Sequence, residues 1–331
     1  MNRKHTWTLI LILLLMNIML CLTSITTGAV SISLSDMLDV FNGTGKPEHE
    51  TILIHARIPR MAACALTGSG LAVAGAVIQN VMQNPLAGPN IIGVNAGAGL
   101  AVVLCSAFFP LSFSAVPLAA FAGALGAMLF IYLLARKTGA SRMTLILAGI
   151  CTNSLLNAAA DAVHIFREDT LTGTYTFRLG GFTSVNERIL IPAGIVILLV
   201  MMAVFLLEKE LEILSMGESI ASAVGLNTTF FQFLFLILAA ALSGACVSIA
   251  GLLGFVGLIA PHISRRVVGE ECRFLLPFSA LAGAFLVLVC DLLARTLWVP
   301  YEIPTGILLS FVGAPFFLHL LFWQRRRRSH D

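Results

Sequence analysis

Gly70-Leu-Ala-Val-Ala-Gly75-Ala-Val-Ile-Gln79-Asn80-Val-Met-Gln83-Asn84-Pro85-Leu86-Ala87-Gly88-Pro89-Asn90-Ile-Ile-Gly93-Val-Asn-Ala-Gly97 decides how this chain folds. An apolar helix rich in Gly and Ala runs into a polar Gln/Asn patch. It breaks at Pro85 and Pro89 and resumes as a second small-residue helix. A lone membrane anchor has no use for such a break. Within a bilayer, irregular backbone persists only where protein or a water-filled path satisfies its polar groups. The stretch therefore predicts a multi-helix transport protein.

The composition agrees. Of 331 residues, 58% are hydrophobic and 11% charged, whereas soluble domains carry roughly 25% charged residues. About 190 apolar residues suffice for nine or ten spans of about 20 residues each. The expected fold class is all-α: a polytopic membrane helical bundle of about ten transmembrane helices, forming one domain over residues 1–331. No polar stretch is long enough for a soluble domain.

Charges and helix breakers divide the chain into apolar segments at about 7–27, 56–80, 91–108, 114–135, 143–164, 189–207, 228–250, 253–263, 274–296 and 305–324. The eighth is too short to cross about 30 Å of hydrocarbon and reads as a half-spanning or broken element. The run from Trp7 to Leu22 ends in no small-x-small cleavage site and reads as a retained first helix. With the N-terminus inside, thirteen of the 20 Lys and Arg residues fall on the inner side and seven on the outer. That bias predicts two cytoplasmic termini. The Arg325–Arg328 run directly follows the last apolar segment and reads as a positive-inside stop, not as a nucleic-acid site.

Several motifs carry polar groups. Arg57-Ile58-Pro59-Arg60 begins the second span on the outer face. Its arginines either anchor the helix at the headgroups or pair with carboxylates of an acidic partner. Arg295 lies on the outer end of the ninth span, four residues after Asp291, so an intrahelical ion pair competes with any docking role. Gly217-Glu218-Ser-Ile-Ala221-Ser-Ala-Val-Gly225-Leu226 is a short amphipathic stretch on the inner side, within a loop region of about 212–226. Asn153, Ser154 and Asn157 share one face of the fifth span, and either line a path or bond a neighbouring helix. Asp161 and His164, near the outer end of that span, face an external vestibule. Glu302 reads as solvated on the outer surface.

Gly251-Leu-Leu-Gly254-Phe-Val-Gly257-Leu-Ile-Ala-Pro261-His262-Ile-Ser-Arg265 spaces glycines at three residues, which suits tight packing. Pro261 is expected to interrupt this helix. The pairs Gly75/Pro85 and Gly251/Pro261 share a ten-residue spacing, a faint internal echo. His262 has no second His or carboxylate at ligand spacing, and the seven cysteines form no CxxC, so no metal site is expected. Gly43-Thr44-Gly45-Lys46-Pro47 fails the phosphate-loop pattern. No nucleophile–base pair appears, so no catalytic residue and no cofactor are expected. An ion-coupled secondary transporter would want a carboxylate at mid-membrane, and Asp161 and Asp291 lie nearer the outer ends.

Taken in order from Arg57 to Pro315, these motifs resemble the FecCD-type permeases of ABC importers, which carry ferric siderophores, haem or vitamin B12. Glu302-Ile-Pro304-Thr-Gly306 and Gly313-Ala-Pro315-Phe316 extend the match. The resemblance implies the architecture of a type II ABC importer permease in a bacterial cell membrane. It implies a second permease subunit, identical or paralogous, two ATP-binding cassette subunits and an extracytoplasmic binding protein. Arg57, Arg60 and Arg295 would meet glutamates of that binding protein. Gly217, Glu218, Ala221, Gly225 and Leu226 would form the coupling helix that docks on the ATPase. Asn153, Ser154, Asn157 and Asp161 would line the path. The implied cargo is an iron(III)-siderophore, with cobalamin and haem as alternatives. Two departures stand out. Gly88 replaces the usual Asp, and Phe177-Arg178-Leu179-Gly180-Gly181 stands where the family often has Trp before Gly-Ser.

Overall fold

The computed structural model describes residues 3–28, 32–109, 115–137, 142–183, 185–299 and 301–328. The side chains of Arg325–Arg328 lie outside the described set. Fifteen α-helices and no strand occur among the described residues: α1 Arg3–Thr26, α2 Leu34–Phe41, α3 Pro47–Ile52, α4 Ile58–Met82, α5 Val94–Phe108, α6 Ala115–Lys137, α7 Arg142–Phe166, α8 Asp169–Leu179, α9 Glu187–Leu206, α10 Glu208–Ser215, α11 Glu218–Ala223, α12 Thr228–Ala250, α13 Val256–Val268, α14 Cys272–Thr296 and α15 Thr305–Arg328. The ten apolar segments correspond to α1, α4, α5, α6, α7, α9, α12, α13, α14 and α15. Seven of these are long and apolar enough to cross a membrane, while α5 and the Thr305–His319 part of α15 are shorter. Helix α13 has 13 residues, and at 1.5 Å per residue reaches about 20 Å, short of a full span.

Helix α4 is the central pillar. Eighteen of its 25 residues are buried, and α9, α12, α13 and α14 pack around it. Lipid tails supply no hydrophobic force between helices, so packing depends on close van der Waals approach of small residues. Two glycine pairs make that approach possible. A Cβ on Gly68 would lie 2.4 Å from the Gly283 carbonyl oxygen, and one on Gly75 would lie 1.8 Å from the Gly257 oxygen. Gly97 and Gly123 bring α5 against α6 in the same way.

Pro85 and Pro89 lie in the irregular loop between α4 and α5, where the sequence places a break. Pro261 does not break its helix, contrary to the sequence reading. It sits inside α13. The missing N–H of Pro261 would have bonded the carbonyl of Gly257 four residues earlier. That oxygen instead accepts the side-chain N–H of Gln79 at 3.2 Å. The interruption falls earlier, at 251–255, where Gly251 has φ +70° and Phe255 φ +66°. The two Gly/Pro pairs are therefore not equivalent. At this break Leu252 N–H donates to the Phe177 carbonyl (2.9 Å) and Gly181 N–H to Ala250 (2.8 Å). Backbone of α8 thus satisfies the irregular segment, as its position inside the bundle demands.

Where α1 finishes and α4 begins, α2, α3 and the helical turn Leu53–Arg57 form a small cap in which Met37, Val40 and Leu53 pack with Ile25 and Ile32. Ser33 and Asp36 make a reciprocal capping box at the start of α2. The bonds from the Ser33 hydroxyl and backbone N–H hold the Asp36 carboxyl below its ordinary range.

Candidate functional site

At the end of the bundle where α1 finishes, Arg57, Arg60 and Arg295 converge although they come from α14 and from the start of α4. Arg57 is 7% exposed, and its Nη1 donates to the carbonyls of Ile25 (2.6 Å) and Thr26 (3.0 Å). Arg295, equally buried, donates to Thr27 (3.0 Å), to the Ser24 carbonyl (2.6 Å) and to the Ser24 hydroxyl (2.7 Å). The last four carbonyls of a helix have no partner within it. The two guanidinium groups supply those partners for α1, and their charge suits the negative end of its dipole. Expected on an outward docking surface, Arg57 and Arg295 are instead turned inward onto α1.

Arg60 holds Asp291 with two donors, Nε to Oδ2 and Nη2 to Oδ1, each at 3.0 Å. Its Nη1 reaches Glu302 at 2.8 Å. Thr305 also donates to Asp291, at 3.1 Å. Asp291 is 1% exposed. The Asp291–Arg295 pair within α14 exists at 3.7 Å, yet the long-range Arg60 contact is the closer one. Glu302 is not simply solvated, because it is the second partner of Arg60.

The C-terminal end of α4 carries the other polar cluster. Arg265 of α13 donates to the Gln79 side-chain oxygen and, at 2.7 Å, to that of Asn80. Asn80 in turn donates to the Cys272 sulfur of α14 at 3.4 Å. Gln83 closes α4 in the left-handed conformation, φ +48°, and donates to the Ser215 carbonyl at 2.7 Å. Ser215 ends α10 two residues before Gly217. The Gln/Asn patch is thus a junction of α4, α10, α13 and α14. Gln79→Leu leaves both the Gly257 carbonyl and one Arg265 donor without a partner. Its expected cost is about 2–3 kcal/mol, the desolvation penalty of buried orphaned groups. Adding Pro261→Ala restores an N–H facing the Gly257 carbonyl, so the double variant should recover part of the loss. Thermal melts in detergent compare the three proteins; equal melting of single and double variants would refute this role for Gln79.

Next to this junction lies α11. Gly217 (φ +119°) and Gly225 (φ +87°) bracket it in conformations that side chains rarely adopt. Glu218 is exposed in its first turn. Ala221, expected to face the ATPase, is fully buried against its own chain. The outward surface comes from Met216, Ile220 and Val224, all at least half exposed. The sequence reading missed these three, although their four-residue spacing is that of one helix face.

Helix α7 brings the predicted path residues together only in part. Asn153 donates to the Asn90 carbonyl of the α4–α5 loop, and Ser154 bonds back to Ile150 within its own helix. Asn157 and Asp161 are exposed. His164 is buried, with Nδ1 2.8 Å from the Thr170 hydroxyl, and so does not face a vestibule. No group of three or more His, Cys, Asp or Glu capable of holding a metal occurs among the described residues.

The FecCD transport family profile matches residues 13–323. The chain belongs to the FecCD transport family. Among its relatives, the Fe(3+)-citrate import system permease protein YfmE of Bacillus subtilis is 35% identical, covering 99% of each chain. The probable siderophore transport system permease YfhA of the same organism is 38% identical over 97% of this chain and 96% of its own. The hemin transport system permease HmuU of Yersinia pestis is 34% identical over 96% of each. A solved inward-facing chain described as a metal-chelate type ABC transporter superposes with a TM-score of 0.86 at 29% identity, covering 95% of this chain and 99% of that one. This FecCD-family chain is therefore a multi-pass membrane permease with the ABC-permease helical fold.

Proposed function

We propose that the chain is the membrane-spanning subunit of a bacterial ABC importer for iron(III)-siderophores, with both termini cytoplasmic. The observation that carries this reading is the unfinished surface of α7. In its most apolar stretch 11% of the residues are buried in the single chain, against 72% in the Pro47–Met82 span that contains α4, yet it exposes Asn157 and Asp161. Polar groups at membrane depth face protein or water, not lipid. A second permease subunit, identical or paralogous, placed around a shared path supplies both. The chain itself makes no bonds; separate ATP-binding cassette subunits hydrolyse ATP.

In this reading Met216, Ile220 and Val224 seat in a groove of the ATPase, with Glu218 at the rim. The glycines at 217 and 225 set the angle of α11. ATPase closure pushes α11, and the Gln83–Ser215 bond hands that push to α4. The binding protein docks at the outer end, where one of its carboxylates takes the place of the partly exposed Glu302 on Arg60. Arg57 and Arg295 support that surface by holding the end of α1.

The test is uptake of radiolabelled iron on a panel of siderophores in cells with and without the gene, with haem and cobalamin in parallel. Loss of uptake for one siderophore class, restored by the intact gene, is the expected result. Glu218→Arg should give normal membrane levels of the chain but fail to restore uptake. Unchanged iron uptake with lost haem or cobalamin uptake would overturn the cargo while keeping the importer.

A further inference from the structure

A cavity of about 520 Å³ opens between α8, the 251–255 break and α15. Leu252, Ile307, Phe311 and Pro315 give it apolar walls, and Arg178 is the one charged group among the described residues that line it. Its volume lies within the roughly 300–1,000 Å³ of small-ligand sites, which combine apolar walls with a few placed polar groups.

The backbone beneath Arg178 is fixed on both sides. Phe177 accepts the N–H of Leu252 at 2.9 Å, and Gly180 accepts that of Gly306 at 3.1 Å. The approach is too close for side chains: a Cβ on Gly306 would lie 2.1 Å from the Leu179 oxygen, and one on Gly251 2.4 Å from the Phe177 oxygen. Arg178 therefore projects from a rigid base.

Its guanidinium is only loosely held, unlike those of Arg57, Arg60, Arg265 and Arg295. Among the described residues its ion pair is with Asp161 Oδ1 at 3.9 Å, and both side chains are more than half exposed. Water screens such a pair strongly. The contact joins the cavity to the exposed polar face of α7.

We propose that Arg178 selects the charge of the cargo, so that this site takes anionic ferric chelates presenting carboxylate or catecholate oxygens and disfavours neutral trihydroxamates. This rests on the importer reading above. A planar guanidinium forms paired hydrogen bonds with such oxygens, and the apolar walls pack against the body of the chelate. Asp161 opposes it, which keeps binding weak enough for the cargo to move on.

The experiment uses the purified full importer in nanodiscs without its binding protein, so that delivery specificity does not enter. Equilibrium binding of labelled iron is measured as ferric citrate and as a neutral ferric trihydroxamate. We expect the citrate complex to bind more tightly. Arg178→Gln should weaken it by about tenfold or more, the loss of one charge-assisted contact. Arg178→Lys should retain part of the affinity and Asp161→Asn should raise it, with trihydroxamate binding unchanged throughout. Equal binding of both chelates, no binding of either, or an Arg178→Gln effect common to both overturns the charge selection alone. Failure of the intact gene to support uptake of any iron chelate in cells overturns the import reading and this inference with it.

Discussion

Asp291→Ala should lower stability by about 3–5 kcal/mol, the range for breaking a buried charge pair by removing one partner. Asp291 is 1% exposed, and it receives three hydrogen bonds from two Arg60 nitrogens, one from Thr305 and the approach of Arg295. Without it, Arg60 keeps only the more exposed Glu302, and Thr305 loses its acceptor. The side-chain contacts that Asp291 makes from α14 to α4 and α15 are then lost. Asp291→Asn retains an acceptor oxygen and should cost less. Arg60→Met combined with Asp291→Leu removes both charges and should recover much of the loss, because replacing a buried ion pair by apolar groups is often nearly neutral. Thermal denaturation in detergent, with the yield of monodisperse protein, reads all three. A double variant no better than Asp291→Ala would show that shape at this site, not an unpaired charge, dominates.

Gly75→Val should be comparably damaging for a different reason. The new Cβ would lie 1.8 Å from the Gly257 carbonyl oxygen, which belongs to backbone and cannot rotate away. Helix α4 and the start of α13 must separate. That disturbs the Gln79–Gly257 bond one turn further on. Overpacking typically costs about 1–3 kcal/mol, and a backbone clash lies at the upper end or beyond. A Cβ on Gly126 of α6 would meet nothing within 4 Å. Gly126→Ala should therefore gain up to about 1 kcal/mol from helix propensity. Adding a side chain at two helical glycines, with opposite signs of effect, separates close packing from propensity. Equal melting temperatures for Gly75→Val and the parent would sink the account.

The spans, the break after α4 and the membrane class were legible in the sequence because each depends on local properties: apolar run length, proline, and the placement of charge. The family resemblance rested on the same local motifs. The half-length of α13 followed from the shortness of its apolar run.

Tertiary structure decided the fate of the polar groups. Arg57 and Arg295 look like surface arginines until the end of α1 is laid against them, because the carbonyls they cap come from residues about 30 and 270 positions away in the chain. Pro261 looks like a helix breaker until Gln79, on another helix, takes up the carbonyl that proline leaves vacant. Ala221 looks like a docking residue until α11 is set down with that face inward and Met216, Ile220 and Val224 outward. Arg178 looks like one more charge near a helix end until α15 and the 251–255 break form an open cavity beside it. Local sequence determines where the chain becomes helical and where it crosses the membrane. Which donor meets which acceptor is a long-range matter, settled when the helices pack, because a buried polar group must find its partner wherever the fold provides one.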